Sequence, residues 1–156
     1  MRDSEEAQIG ALITSFFRAV SFKTGDRPDY RKLPALFIPQ ARLIRTSGPE
    51  PEISSVDEFV RTRQGAVDAG ELTSFDETEL AETTELFGNI AHRFSSYAKR
   101  GTTNHGPIDV RGAISTQFIR TEAGWRISSM AWDDERDGWP TYPAQRAATA
   151  EASGSK

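Results

Sequence analysis

Cysteine is absent from this chain, and histidine occurs only twice. Without thiols there can be no disulfide framework, no thiolate metal site and no cysteine nucleophile. The two histidines, His92 and His105, have no supporting carboxylate spacing, which argues against a metal site. Long apolar runs are missing as well, and no stretch approaches the ~20 residues of a membrane span. Nor is there a basic excess: 19 Lys and Arg stand against 23 Asp and Glu, a net charge of −4. Phosphate binding needs the opposite balance on one face. The opening Met1-Arg2-Asp3-Ser4-Glu5-Glu6 is acidic, with no apolar signal core. The expectation is a cytoplasmic protein with no cofactor and neither a nucleic-acid nor a membrane partner.

The chain does have enough length for one core. A protein of 156 residues buries roughly two-thirds of its unfolded surface and is too short for two cores of normal size. A single domain over residues 1–136 is expected. Residues 137–156, with Pro140, Pro143 and a small polar end, read as a loosely ordered tail.

Helices come first. Asp3 or Ser4 can cap a helix whose stripe is Ile9, Leu12, Ile13, Phe16 and Val20, widened by Phe17, with Gly25 as a stop. Pro28 opens a short second helix that ends near Leu36 or Phe37. Arg42 to Thr46 reads as a strand, with a short extended piece near Ile53. Ser55 and Glu58 have capping-box spacing before a third helix faced by Val56, Phe59, Val60 and Val67. Four strands follow, over 75–87, 90–100, 110–121 and 125–134. Turn signals at Gly88-Asn89 and Ala123-Gly124 make them antiparallel. The fold class is α+β, a curved antiparallel sheet wrapped around the N-terminal helices with a cleft between.

This order resembles the NTF2-like superfamily, and within it the SnoaL-like or DUF4440-type small bacterial proteins. The matching pieces are the opening amphipathic helix, Leu36-Phe37-Ile38-Pro39-Gln40-Ala41-Arg42-Leu43, the closing Gly124-Trp125-Arg126-Ile127, and Phe87-Gly88-Asn89-Ile90-Ala91-His92 with Phe94-Ser95-Ser96-Tyr97. The resemblance covers about residues 5 to 135. It implies the cone fold and, often, a dimer through the outer sheet face. It does not choose an activity, since the superfamily holds isomerases, dehydratases, epoxide hydrolases and proteins without chemistry. The first helix has no tyrosine of the ketosteroid isomerase kind. The inferred cleft also lacks the aspartate–arginine–aspartate set of limonene epoxide hydrolases.

Pairing arithmetic nominates the site. A two-residue turn at Gly88-Asn89 sets Glu85 opposite His92 and Thr83 opposite Phe94. A turn centred near residue 105 then sets His92 near Phe118 and Phe94 near Thr116. The face so formed carries Glu85, His92, Phe94, Ile114, Thr116, Phe118, Met130 and Trp132. His92 is the candidate proton-transfer group, because imidazole exchanges a proton near neutral pH, and Glu85 would orient it. Phe16, Phe94, Thr116, Phe118, Met130, Trp132 and Asp134 are the candidate ligand contacts for a small apolar or amphipathic molecule. A cross-strand Glu–His pair of purely structural value is the plainer alternative. His105 reads as a turn residue. The other face, with Glu82, Thr84, Arg93, Ser95, Tyr97, Ser115 and Ser129, is the candidate homodimer surface. A non-catalytic dimeric module with a filled cleft is the competing function.

Overall fold

The computed structural model describes residues 2–137, so all but the first residue of the expected tail lies outside the described residues. Helix α1 runs Arg2–Val20 and α2 Val56–Asp68; strands are β1 Phe37–Arg45, β2 Glu52–Ser54, β3 Leu72–Phe87, β4 Ile90–Thr103, β5 Gly106–Thr121 and β6 Gly124–Asp134. The strands form one sheet in the order β2-β1-β6-β5-β4-β3. Its pairs are antiparallel except β1 with β6, which run parallel. This is the α+β cone expected from the sequence. Both helices pack against one face of the sheet.

Local sequence explains each boundary. The stripe of α1 is buried at Ile9, Ile13, Phe16, Phe17 and Val20. Glu5 in its first turn pairs with Arg120 of β5 at 2.6 Å, which ties the helix start to the sheet. The helix stops at Val20, before the expected Gly25, because Phe22 leaves to bridge Phe75 at the start of β3. The expected second helix is two 3-10 turns, Tyr30–Lys32 and Pro34–Leu36; Pro34 has no N–H to extend a helix through this stretch. At Ser55 and Glu58 the capping box forms reciprocally, each side chain meeting the other residue's backbone N–H.

Inside the cone the aromatics stack edge-on. Phe16 meets Phe37 at 6.1 Å between ring centroids, and Phe59 meets Trp132 at 6.1 Å and 87°. Each such side chain contributes about 1.5–3 kcal/mol on burial.

The expected register of β3 with β4 holds, and that of β4 with β5 differs. Glu85 faces His92 and Thr83 faces Phe94 across the Gly88-Asn89 turn, where Gly88 takes φ +58°. The turn between β4 and β5, however, is Asn104-His105, with Thr103 paired to Gly106. Thr103 Oγ1 donates to the Gly106 carbonyl and accepts from the His105 N–H, while Gly106 takes φ +118°. This pulls β5 back by one residue against β4. His92 therefore pairs with Gln117 and Phe94 with Ser115, not with Phe118 and Thr116. A one-residue slip exchanges faces.

Gly112 of β5 marks the tightest approach. A Cβ there would sit 2.3 Å from both the Asp133 carbonyl oxygen and the Tyr97 hydroxyl. Backbone and a buried ring cannot both move aside. Gly112→Ala is expected to lower stability by about 2–3 kcal/mol, checked by urea unfolding against the unaltered protein.

Candidate functional site

The slip at the β4–β5 turn changes what the cone encloses. Ile114, Thr116, Phe118, Met130 and Trp132 face inward and are buried. Glu85, His92 and Phe94, expected beside them, lie on the outer face, because β4 presents its odd-numbered residues to the helices. His92 Nε2 and Glu85 Oε1 do meet, at 2.7 Å, but with side chains 42% and 72% exposed. Phe94 is exposed on the same side. In their place stand Arg93, Ser95, Tyr97 and Lys99, residues expected outside or not singled out.

A bulge at Leu80 helps this interior form. The β3–β4 register shifts between Glu79 and Ala81, so Glu79 faces Tyr97 while Glu82 faces Ser95. Both acids consequently reach Arg93. Its guanidinium grips Glu79 through two bonds, Nη2 to Oε1 at 2.6 Å and Nε to Oε2 at 2.9 Å. Glu82 Oε2 lies 3.6 Å from Nη1, and Ser95 donates its hydroxyl to Glu79. Arg93, whose Nη1 also donates to Thr84 Oγ1 at 3.3 Å, is thus held by its own sheet and is a structural cation.

Deeper in the cone lies a second charged group. Lys99 Nζ pairs with Asp134 at 2.9 Å, and the Tyr97 hydroxyl donates to the same carboxylate. Burial alone would push the Asp134 carboxyl up, but the Tyr97 hydrogen bond and the Lys99 charge outweigh it and hold it below its ordinary value. Burial, the Asp134 hydrogen bond and the neighbouring acids push the Tyr97 phenol well up, so it stays a donor.

Glu77 of β3 completes the cluster. Its backbone N–H donates to Ser21 Oγ, but no hydrogen bond holds its carboxyl. Part of the residue reaches the surface, yet burial dominates its titration and raises it from 4.5 to about 7. Lys99 and Arg63 oppose the rise, while Asp134 and Asp76 add to it. A carboxyl that gains and loses its proton near neutrality can serve as an acid or a base.

Glu77 is also where two cavities meet. One is an open groove of about 400 Å³ between α1 and β3, with Ile13, Phe17, Arg18, Ser21 and Glu79 among its walls. The other is a nearly filled void of about 10 Å³ under α1, walled by Phe16, Val20, Phe59, Arg63, Glu77, Lys99, Ile114 and Trp132. Of the residues nominated from sequence, Phe16 and Trp132 line this void. Thr116, Phe118 and Met130 are packed elsewhere in the core, and Asp134 acts through Lys99 and Tyr97. Glu77, Lys99, Tyr97 and Arg63 escaped sequence reasoning. The Leu80 bulge has no glycine or proline to announce it. The one available signal was the density of acids along Asp76–Glu85 facing Arg93 and Lys99. Among the described residues no group of three or more His, Asp and Glu is placed to hold a metal ion. No helix there is long and apolar enough to cross a membrane.

No protein-family model matches the sequence, and no curated protein matches it. Solved structures do match. An NTF2-like superfamily protein from Salmonella enterica serovar Typhimurium superposes with a TM-score of 0.73 at 14% identity, over 91% of this chain and 99% of its own. An NTF2-like protein with a cystatin-like fold from Novosphingobium aromaticivorans gives 0.66 at 17%, over 92% and 88%. A conserved protein from Planctomyces limnophilus gives 0.69 at 14%, over 85% and 98%. At such identities the likeness establishes the fold. The chain has the NTF2-like cone.

The raised Glu77 carboxyl has a consequence for stability. The folded chain keeps this proton up to about pH 7, whereas the unfolded chain releases it near 4.5. Between those values folding takes up a proton, so stability falls as pH rises through the window and is level above it. Glu77→Gln should remove that slope and leave the variant more stable than the original at pH 8 by about 1–3 kcal/mol. Urea unfolding at pH 5 and pH 8 checks it; parallel curves for the two proteins would count against the assignment.

Proposed function

We propose that this protein binds a small apolar or amphipathic molecule where the α1–β3 groove meets the inner void, with Glu77 as the group that exchanges a proton with it. The observation that carries the reading is Glu77 itself: a largely enclosed carboxyl, without a hydrogen bond, at the junction of both cavities. A purely structural interior gains nothing from such a group, because an unpaired buried acid costs stability. The groove supplies Ile13 and Phe17 as apolar wall and Arg18 and Ser21 as polar contacts. The NTF2-like fold is compatible with this reading and does not choose among isomerisation, dehydration and hydrolysis.

Amide NMR against a fragment set of single-ring apolar and amphipathic compounds tests the placement. Shifts should concentrate on Ile13, Phe17, Ser21 and Glu77, and Glu77→Gln should abolish any turnover found. Binding confined to other surfaces would overturn the proposal.

A second reading, the non-catalytic dimeric module, draws on a different observation: the enclosed part of the cone is almost filled by Phe16, Phe59 and Trp132, leaving about 10 Å³. Both readings accommodate a homodimer through the outer sheet face. That face combines small Ala113, Ser115, Ser129 and Ala131 with exposed Phe87, Ile90 and Phe94. Ser115→Glu with Ser129→Glu should then give a folded monomer, because like charges would oppose each other across the two-fold. Light scattering that shows the unaltered chain to be monomeric overturns the dimer.

A further inference from the structure

We propose that the Glu77 site takes a small apolar acid, and that Arg63 holds its carboxylate. This rests on the reading that the junction at Glu77 binds a small molecule, and names the chemical class.

The charge arrangement around the void carries the inference. Two cations border it, Arg63 from α2 and Lys99 from β4. Lys99 is committed to Asp134 at 2.9 Å. Arg63 forms no ion pair among the described residues. Its guanidinium lies instead over the rings of Phe59 and Phe75, 4.9 and 5.2 Å from their centroids. Those faces fix the fork in place but accept none of its hydrogen bonds in the way a carboxylate does. The Tyr30 hydroxyl also lies beside the guanidinium. It is buried, and the Arg63 guanidinium lies close enough to oppose, by charge and by hydrogen bonding, the rise that burial imposes on its titration, while no other partner reaches it. A guanidinium that lines the void with two ring faces and a phenol around it, and no carboxylate in ion-pair reach, keeps donors for an anion.

Size and charge narrow the acceptor. The void admits one water-sized group, enough for one carboxylate oxygen but not for a ring. The apolar body must therefore lie outside, along Ile13 and Phe17 in the groove on the other side of Glu77. Glu77 feels the charges of Arg63 from α2, Lys99 from β4, Asp134 from β6 and Asp76 on its own strand, with Arg18 of α1 lining the groove beside it. In its protonated form it donates to an incoming anion, and in its ionised form it repels one. Binding is thus coupled to proton uptake and weakens as pH rises through neutrality.

Benzoate and isobutyrate, each against its neutral amide, are the probes, followed by amide NMR at Glu77 and Lys99 and by calorimetry. The acids should bind and the amides should bind at least about tenfold more weakly, the usual scale for losing a charged hydrogen-bond pair. Arg63→Gln should weaken the acids by a similar factor and leave the amides unchanged, while Arg63→Lys, which keeps the charge without the fork, should fall between. Calorimetry at pH 7 in phosphate and in Tris should differ by the heat of the proton taken up. Equal affinity for acid and amide, unaltered by Arg63→Gln, would overturn the carboxylate assignment and leave the small-molecule reading standing. Failure of all four compounds to shift any amide of the site would overturn both.

Discussion

The chain turns from β4 into β5 over two residues, Asn104 and His105, and that count decides what the cone encloses. Had the turn been one residue longer, the β4 residues facing the helices would have been His92, Phe94, Ser96 and Ala98. As it stands they are Arg93, Ser95, Tyr97 and Lys99. Thr103 fixes the count by bridging the turn with its hydroxyl, and Gly106 accepts the positive φ that closes it. The ion pairs, the poised carboxyl and the position of the groove all follow from this register.

Charges inside a protein are tolerated only when their partners are enclosed with them. Arg93 has Glu79, Glu82 and Ser95, and Lys99 has Asp134 with Tyr97 behind it. Each of these two cations thus meets at least one carboxylate of the same sheet. Glu77 and Arg63 break the pattern. One has no hydrogen bond to its carboxyl and the other no carboxylate, although both border the same void. Charges left unsatisfied in an otherwise balanced interior are where chemistry or a ligand is to be sought.

Much of the fold was legible because its signals are local. The α1 stripe, the Ser55–Glu58 capping box and the Gly88 turn each depend on residues within a few positions of one another. Glu85 and His92 were paired correctly for the same reason, each being the third strand residue from a well-marked turn. The candidate site was less legible. A β-bulge at Leu80, which lets Glu79 and Glu82 both meet Arg93, depends on packing under α1 and leaves no mark in composition. The one-residue offset at Asn104-His105 then put His92 and Glu85 on the outer face and Glu77, Lys99 and Tyr97 within.

Sequence by itself determined the class of fold, the order of helices and strands, the apolar face of each helix and the pairing across the first hairpin. These rest on periodicity and turn chemistry, which act over short stretches of chain. Tertiary structure decided which face of the sheet meets the helices, and therefore which side chains titrate in a dry place. That choice is a parity, reversed by a single residue, and short-range preferences are almost indifferent to it. Only the joint packing of α1, α2 and β4 selects one side.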